Sequence, residues 1–185
     1  MKGFTLIETL VAITILTLSV AGPLYTANRA IVAAETSRDQ LVASYLAQEG
    51  VEYVRRVRDD TYLAAYSAGG PNVSDIAWQD FLAASPAAVC RSPQVCTLDP
   101  VESDGPPLSA CPGNVCTAPL YLLANALYSQ QQNLPDSQET PFVRSIEIRD
   151  VPGTDDEKEV VSSVMWSFHG SAYSVVIVDN LTPWQ

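Results

Sequence analysis

Glu8 stands inside the apolar run FTLIETLVAITILTLSVAGP, which extends 20 residues from Phe4 to Pro23. A carboxylate in such a run costs roughly 2.5 to 3.5 kcal/mol on membrane-insertion scales, against about 0.3 to 0.6 kcal/mol returned by each flanking Leu, Ile or Val. A group retained at that cost is a functional candidate, and it calls for a cation as partner. The other reactive groups lie far downstream. Cys90 and Cys96 have five residues between them, and Cys111 and Cys116 have four. Four cysteines allow three pairings, with two local bridges expected ahead of a crossed or nested set. A four-thiolate zinc site is the alternative, although these spacings are slightly wide of the usual ones. His169 is the single histidine. It falls in an expected hairpin turn, and neither Ser167 nor Ser171 lies in a nucleophile-elbow pattern beside it. Asp155, Asp156, Glu157 and Glu159 form an acidic run that reads as a solvated hairpin tip. Calcium is the competing reading, but the run lacks the ligand spacing of a known calcium loop.

The element that must position Glu8 is a helix. Twenty residues at helical rise make about 30 Å, the thickness of a bilayer core. Three readings fit such a segment. It is a secretory signal with Lys2 as its basic end and Ser19-Val20-Ala21 as the cleavage site; or a plain single-span anchor whose Glu8 reaches the headgroups; or the segment described next.

Gly3-Phe4-Thr5-Leu6-Ile7-Glu8, preceded by a short leader with Lys2, resembles the processing motif of type IV prepilins and type II secretion pseudopilins. The resemblance covers about the first thirty residues and implies cleavage after Gly3 by a prepilin peptidase, methylation of the new Phe4 amine, and assembly into a filament. It also implies a role for Glu8. Cleavage leaves a cationic amine in the same apolar layer, and the carboxylate of one subunit pairs with the terminal amine of its neighbour, which sets the stagger. The partners implied are other pilin or pseudopilin subunits, the prepilin peptidase, an assembly ATPase and its membrane platform protein. The implied location is the cytoplasmic membrane, crossed once with the head extracytoplasmic, and then a cell-surface or periplasmic filament.

Charge is distributed to match. The chain carries 21 acidic and 10 basic residues, a formal net charge of -11, so nucleic acid is not expected as a main partner. Between Met1 and Asn28 the only charged residues are Lys2 and Glu8. The apolar pattern then continues at helical spacing through Ile31, Ala34, Leu41, Tyr45 and Leu46 to Val51, Val54 and Val57, with Glu52 placed for ion pairs to Arg55 and Arg56. Gly22-Pro23 reads equally as a kink or as a helix boundary at the membrane surface; the resemblance implies one long, kinked helix, ended between Asp59-Asp60 and Gly69-Gly70-Pro71. A short helix follows, capped by Ser74 with Trp78, Phe81 and Leu82 on one face.

Between Ser85 and Pro119 lie seven of the 13 prolines and all four cysteines, a loop-rich composition. Pro119 to Ser129 reads equally as helix or as two short strands around a turn. Phe142–Ile148, Val160–Phe168 and Tyr173–Val178 alternate as strands of an antiparallel meander, with Val164, Trp166 and Phe168, and also Val176 and Val178, expected to face the helix.

The fold class is therefore α+β, a long N-terminal helix packed on a C-terminal antiparallel sheet. The organisation expected is a leader at 1–3, a transmembrane and assembly helix at 4–28, its amphipathic continuation at 29–60, and a globular head at 61–185. The head contains the Cys-rich loop (85–119) and the meander (142–179). Such an order resembles the heads of minor pilins. No enzyme site, cofactor or metal is expected. The alternative is a membrane-anchored extracellular module that binds a ligand through the cysteine loop or the acidic hairpin.

Overall fold

The computed structural model describes residues 3, 5–102, 105–154 and 156–183. Helix α1 runs without interruption from Leu6 to Ala68, through Pro23 and past Asp59-Asp60, and ends at Gly69 and Gly70, both at positive φ. The two aspartates do not stop it, whereas Gly69 adopts the left-handed geometry that closes a helix. Two compact units divide at Leu41 and Val42, within α1.

In the first unit the helix is exposed on all sides: Leu6, Ile7, Leu10, Val11, Ile13, Ile15, Leu16, Leu18 and Val20 all face outward. An apolar helix with no protein around it is the reverse of a soluble core. Its 18-residue window of mean hydropathy 1.8 is long and apolar enough to cross a membrane. Four of the five hydroxyls in the run are satisfied by their own helix. Thr9 donates to the Leu6 carbonyl, Thr14 to Val11, Thr17 to Thr14 and Ser19 to Ile15, so none of them needs water. Beyond the run, the Arg29 guanidinium donates to the Tyr25 hydroxyl at 2.8 and 3.1 Å and lies 5.3 Å from the ring centre. An aromatic and a cation at that point suit a membrane–water boundary.

The second unit packs the later part of α1 against sheet. Helix α2 (Val73–Ala83) follows, then a 3-10 turn Pro86–Cys90. Strands β1 (Cys96–Leu98) and β2 (Leu108–Ala110) form a hairpin, and β3 (Tyr121–Leu122), β4 (Tyr128–Ser129) and β5 (Gln138–Glu139) are two residues each. Three long strands complete the chain: β6 (Val143–Asp150), β7 (Lys158–Phe168) and β8 (Ser171–Leu181). The main sheet has the antiparallel order β2-β1-β6-β7-β8, and β4-β3-β5 makes a second, smaller sheet. This is the α+β fold of a long N-terminal helix followed by antiparallel sheet.

Several local expectations are corrected. Asn72, at φ 57, occupies the N-cap position of α2 in place of Ser74. The ambiguous segment after Pro119 is the β3–β4 hairpin, stabilised as sheet because β5 pairs with β3 on its other side. The stripe of α1 that meets the sheet is Ala43, Leu46, Ala47, Gly50, Val51, Val54 and Val57, while Ile31, Leu41 and Tyr45 are exposed. Small residues take this face because the helix lies close to the strands. At Gly50 an added Cβ would stand 2.5 Å from Ser162 Oγ and 3.0 Å from Ile146 Cδ1.

Val164 and Trp166 do face α1, in a cluster with Ala43, Leu46, Ala47, Leu120 and Phe142. Val176 and Val178 do not; they are 54% and 51% exposed, and Val175 and Ile177 pack inward instead. The reason is register. The two-residue turn His169-Gly170 pairs Trp166 with Tyr173 and Ser163 with Val176, and directly paired residues share a face.

Candidate functional site

The N-terminal constellation is laid out along the start of α1. Gly3 is exposed, with open space around its Cα. Phe4 lies outside the described residues. Thr5 starts the helix, its carbonyl accepting from the N–H groups of Glu8 and Thr9 at 3.0 and 3.2 Å. Glu8 thus falls in the first turn, exposed, where a carboxylate also meets the positive end of the helix dipole. Among the described residues it has no ion-pair partner; the seven ion pairs all lie between Glu49 and Asp179. A carboxylate on an exposed apolar helix with no ion-pair partner among the described residues fits one that is neutralised from outside.

The cysteines are joined as Cys90–Cys96 and Cys111–Cys116, with Cα separations of 4.9 and 5.0 Å. All four sulfurs are consumed, which leaves no thiolate for zinc. The first bridge is buried and ties the 3-10 turn Pro86–Cys90 to β1. The second closes the small loop around Pro112–Asn114 beside β2. In the acidic hairpin, Asp155 lies outside the described residues, and among the described residues no cluster of carboxylates, histidines or cysteines is placed to hold a metal. His169 is exposed in the β7–β8 turn at φ 49, its ring edge-on to Phe168. Two clefts among the described residues are open. One, of about 550 Å³, is lined by Val115, Pro141, Val143, Met165 and Tyr173; the other, of about 470 Å³, by Tyr53, Arg56, Asp60, Asp80 and Ser85. Neither includes His169.

The most constrained polar group in the second unit is one that sequence reasoning missed. Arg144 on β6 is fully buried. Its guanidinium donates to the carbonyls of Leu46 on α1 and Leu98 on β1, at 3.1 and 2.6 Å, and to the Glu49 carboxylate at 2.5 Å. Burial pushes its pKa down, with Glu49 pulling the other way and Asp99 helping more weakly. Asp99 in turn accepts from the Ser129 hydroxyl at 2.9 Å and the Gln130 N–H at 3.0 Å. Helix, main sheet and small sheet meet in one polar network. Alternation places Arg144 on the face of Phe142, Ile146 and Ile148, which is the signal that could have found it, but nothing local names the carbonyls and carboxylate that satisfy it. Nearer the surface, Arg55 donates to Asp179 at 2.6 Å, and that bond holds its pKa up.

A family model, the prokaryotic N-terminal methylation motif, matches residues 1–22. No curated protein and no solved structure matches the chain. The matched segment contains Gly3 and Glu8 and runs into the exposed apolar start of α1, and the chain carries the N-terminal signature of type IV pilins and pseudopilins.

Proposed function

We propose that this protein is a minor pilin or pseudopilin, a structural subunit of a type IV pilus-like or type II secretion filament. The observation that carries the reading is the methylation motif at residues 1–22, running directly into an exposed apolar helix whose first turn holds Glu8. In this reading a prepilin peptidase cuts between Gly3 and Phe4 and the Phe4 amine is methylated. The 4–28 segment holds the precursor in the cytoplasmic membrane with residues 61–185 outside, and residues 29–60 continue the helix. An assembly ATPase and its platform protein then move the subunit into the filament.

Physical chemistry supports the role given to Glu8. A lone carboxylate and a lone amine in hydrocarbon are each expensive, and pairing them between neighbours removes most of both penalties. Only one axial stagger brings the groups together, so a register follows from a charge pair. The two disulfides support an oxidising location for the head.

The test is mass spectrometry of the N-terminal peptide of protein isolated from native membranes. A chain that begins with methylated Phe4 is expected; one that begins at Gly22, or retains Met1 where prepilin peptidase is active, refutes the reading. The companion variant is Glu8→Leu. It is expected to be cleaved, to remain in the membrane and to drop out of filaments at least tenfold, whereas a membrane-anchored binding module would lose nothing by the change.

A further inference from the structure

Where α1 begins is set at Thr5. That residue is exposed and lies just outside the helix, and its carbonyl takes two N–H groups of the first turn, from Glu8 at 3.0 Å and Thr9 at 3.2 Å. Thr5 therefore holds the N-cap position, with Leu6, Ile7 and Glu8 as the first three helical residues. Thr5-Leu6-Ile7-Glu8 is also the sequence of a capping box, with threonine at the cap and glutamate three residues on. In such a box the hydroxyl accepts from the N–H of the third helical residue, and the carboxylate reaches back to the N–H of the cap.

A stop is needed at this point. From Leu6 the helix continues without interruption to Ala68, so propagation is favourable throughout. In hydrocarbon, backbone groups left outside a helix find no water, and a helix there gains by extending towards its N-terminus. The next residue upstream suited to a cap is Gly3. A helix capped at Gly3 would take Thr5 into its first turn, and the Gly3 carbonyl would become its first intrahelical acceptor.

The Gly3 carbonyl is the group that processing attacks. Hydrolysis adds one water across the Gly3–Phe4 amide: the C–N bond breaks, Gly3 keeps the new carboxylate and Phe4 the amine. The nucleophile has to approach the carbonyl carbon from outside the amide plane, and a carbonyl tied into a helical turn meets that requirement poorly. In the structure Gly3 lies outside the helix, exposed, with nothing within 4 Å of a Cβ built on it. The box also accounts for Glu8 before cleavage, when the amine it is to pair with does not yet exist. A carboxylate bonded to the cap N–H at the positive end of the helix dipole is stabilised by its own helix.

We infer that Thr5 is a positioning residue for cleavage: its hydroxyl and the Glu8 carboxylate close a capping box that starts α1 at Leu6 and holds the Gly3 carbonyl out of the helix. The inference rests on the pilin-type reading above and adds to it a residue that acts through the helix boundary.

The test follows the full-length precursor in native membranes with active prepilin peptidase, as the half-time for appearance of the peptide that begins at Phe4. Thr5→Val keeps the side-chain shape and removes the hydroxyl. Its cleavage is expected to slow about fivefold, the rate equivalent of the ~1 kcal/mol that a lost cap costs. Thr5→Ser and Thr5→Asn are both strong caps and are expected within about twofold of the native rate. Asparagine supplies a capping oxygen without a hydroxyl, so a peptidase that recognised the threonine hydroxyl directly would reject it. Glu8→Gln keeps the returning half of the box and is expected to be cleaved faster than Glu8→Leu. Cleavage of Thr5→Val at the native rate, slow cleavage of Thr5→Asn together with Thr5→Val, or Glu8→Leu cut faster than Glu8→Gln overturns the inference. The native chain separates the two claims. If it is not cut at Phe4, the pilin-type reading fails and the inference with it; if it is cut and Thr5→Val is cut equally fast, only the role of Thr5 fails.

Discussion

Gly50 and Ser162 provide the sharpest quantitative test of how α1 meets the sheet. Both are buried, and a methyl group at Gly50 would fall 2.5 Å from Ser162 Oγ, with Ile146 Cδ1 at 3.0 Å and Cγ1 at 3.2 Å. Gly50→Ala therefore has two opposed effects. Removing a glycine from a helix interior favours folding by about 1 kcal/mol. Inserting a methylene-sized group into a filled site disfavours it by about 1 to 3 kcal/mol. The net expectation is a loss of about 1 kcal/mol, or about 3 °C in Tm for a chain of this size.

Ser162→Ala changes the sign. The Ser162 hydroxyl is buried without a hydrogen-bond partner, so its removal is expected to be neutral or stabilising by up to about 1 kcal/mol. It also removes the atom the new methyl would strike. In the Ser162→Ala background Gly50→Ala should be neutral or favourable, which gives a coupling of about 1 to 2 kcal/mol in the double-mutant cycle. Thermal unfolding of the four disulfide-intact proteins in one detergent measures it. A Gly50→Ala loss of the same size in both backgrounds, within about 0.3 kcal/mol, would refute the claim that close approach to Ser162 explains the glycine.

Arg144→Ala should cost about 3 to 5 kcal/mol by chemical denaturation, since it strands the Leu46 and Leu98 carbonyls and unpairs Glu49; Glu49→Gln should cost clearly less, because that carboxylate is 40% exposed and water can replace the pair. Glu147 has its pKa held below the ordinary 4.5 chiefly by the hydrogen bond from Arg149, so the ionised form favours the folded state. That contribution is present above about pH 4.5, fades as pH falls through the depressed native value, and on a partly exposed pair amounts to about 0.5 kcal/mol. The Tm difference between the native protein and Arg149→Met should therefore be largest near pH 7 and vanish near pH 2; a difference that grows on acidification would contradict the assignment.

What was legible in the sequence is what local pattern encodes. An apolar run of bilayer length containing one carboxylate needs no tertiary context, because its length and composition are properties of consecutive residues. The three long strands were legible from alternation and turn residues, and the long helix from its spacing. Periodicity says only that alternate residues share a face, and it does not say which face is buried. Val176 and Val178 show the limit, since their inward neighbours Val175 and Ile177 are equally apolar and the choice was made by the His169-Gly170 turn and the pairing of Trp166 with Tyr173. The cysteine pairing followed the expected local spacing, Cys90 with Cys96 and Cys111 with Cys116. The partners of Arg144 and the need for glycine at position 50 were decided at longer range. Each depends on groups brought together from distant parts of the chain: β6 with α1 and β1, and Ser162 with the helix it supports. A sequence specifies those meetings only through the whole packed arrangement, whereas the N-terminal signature acts on its own residues and was readable in full before any fold was known.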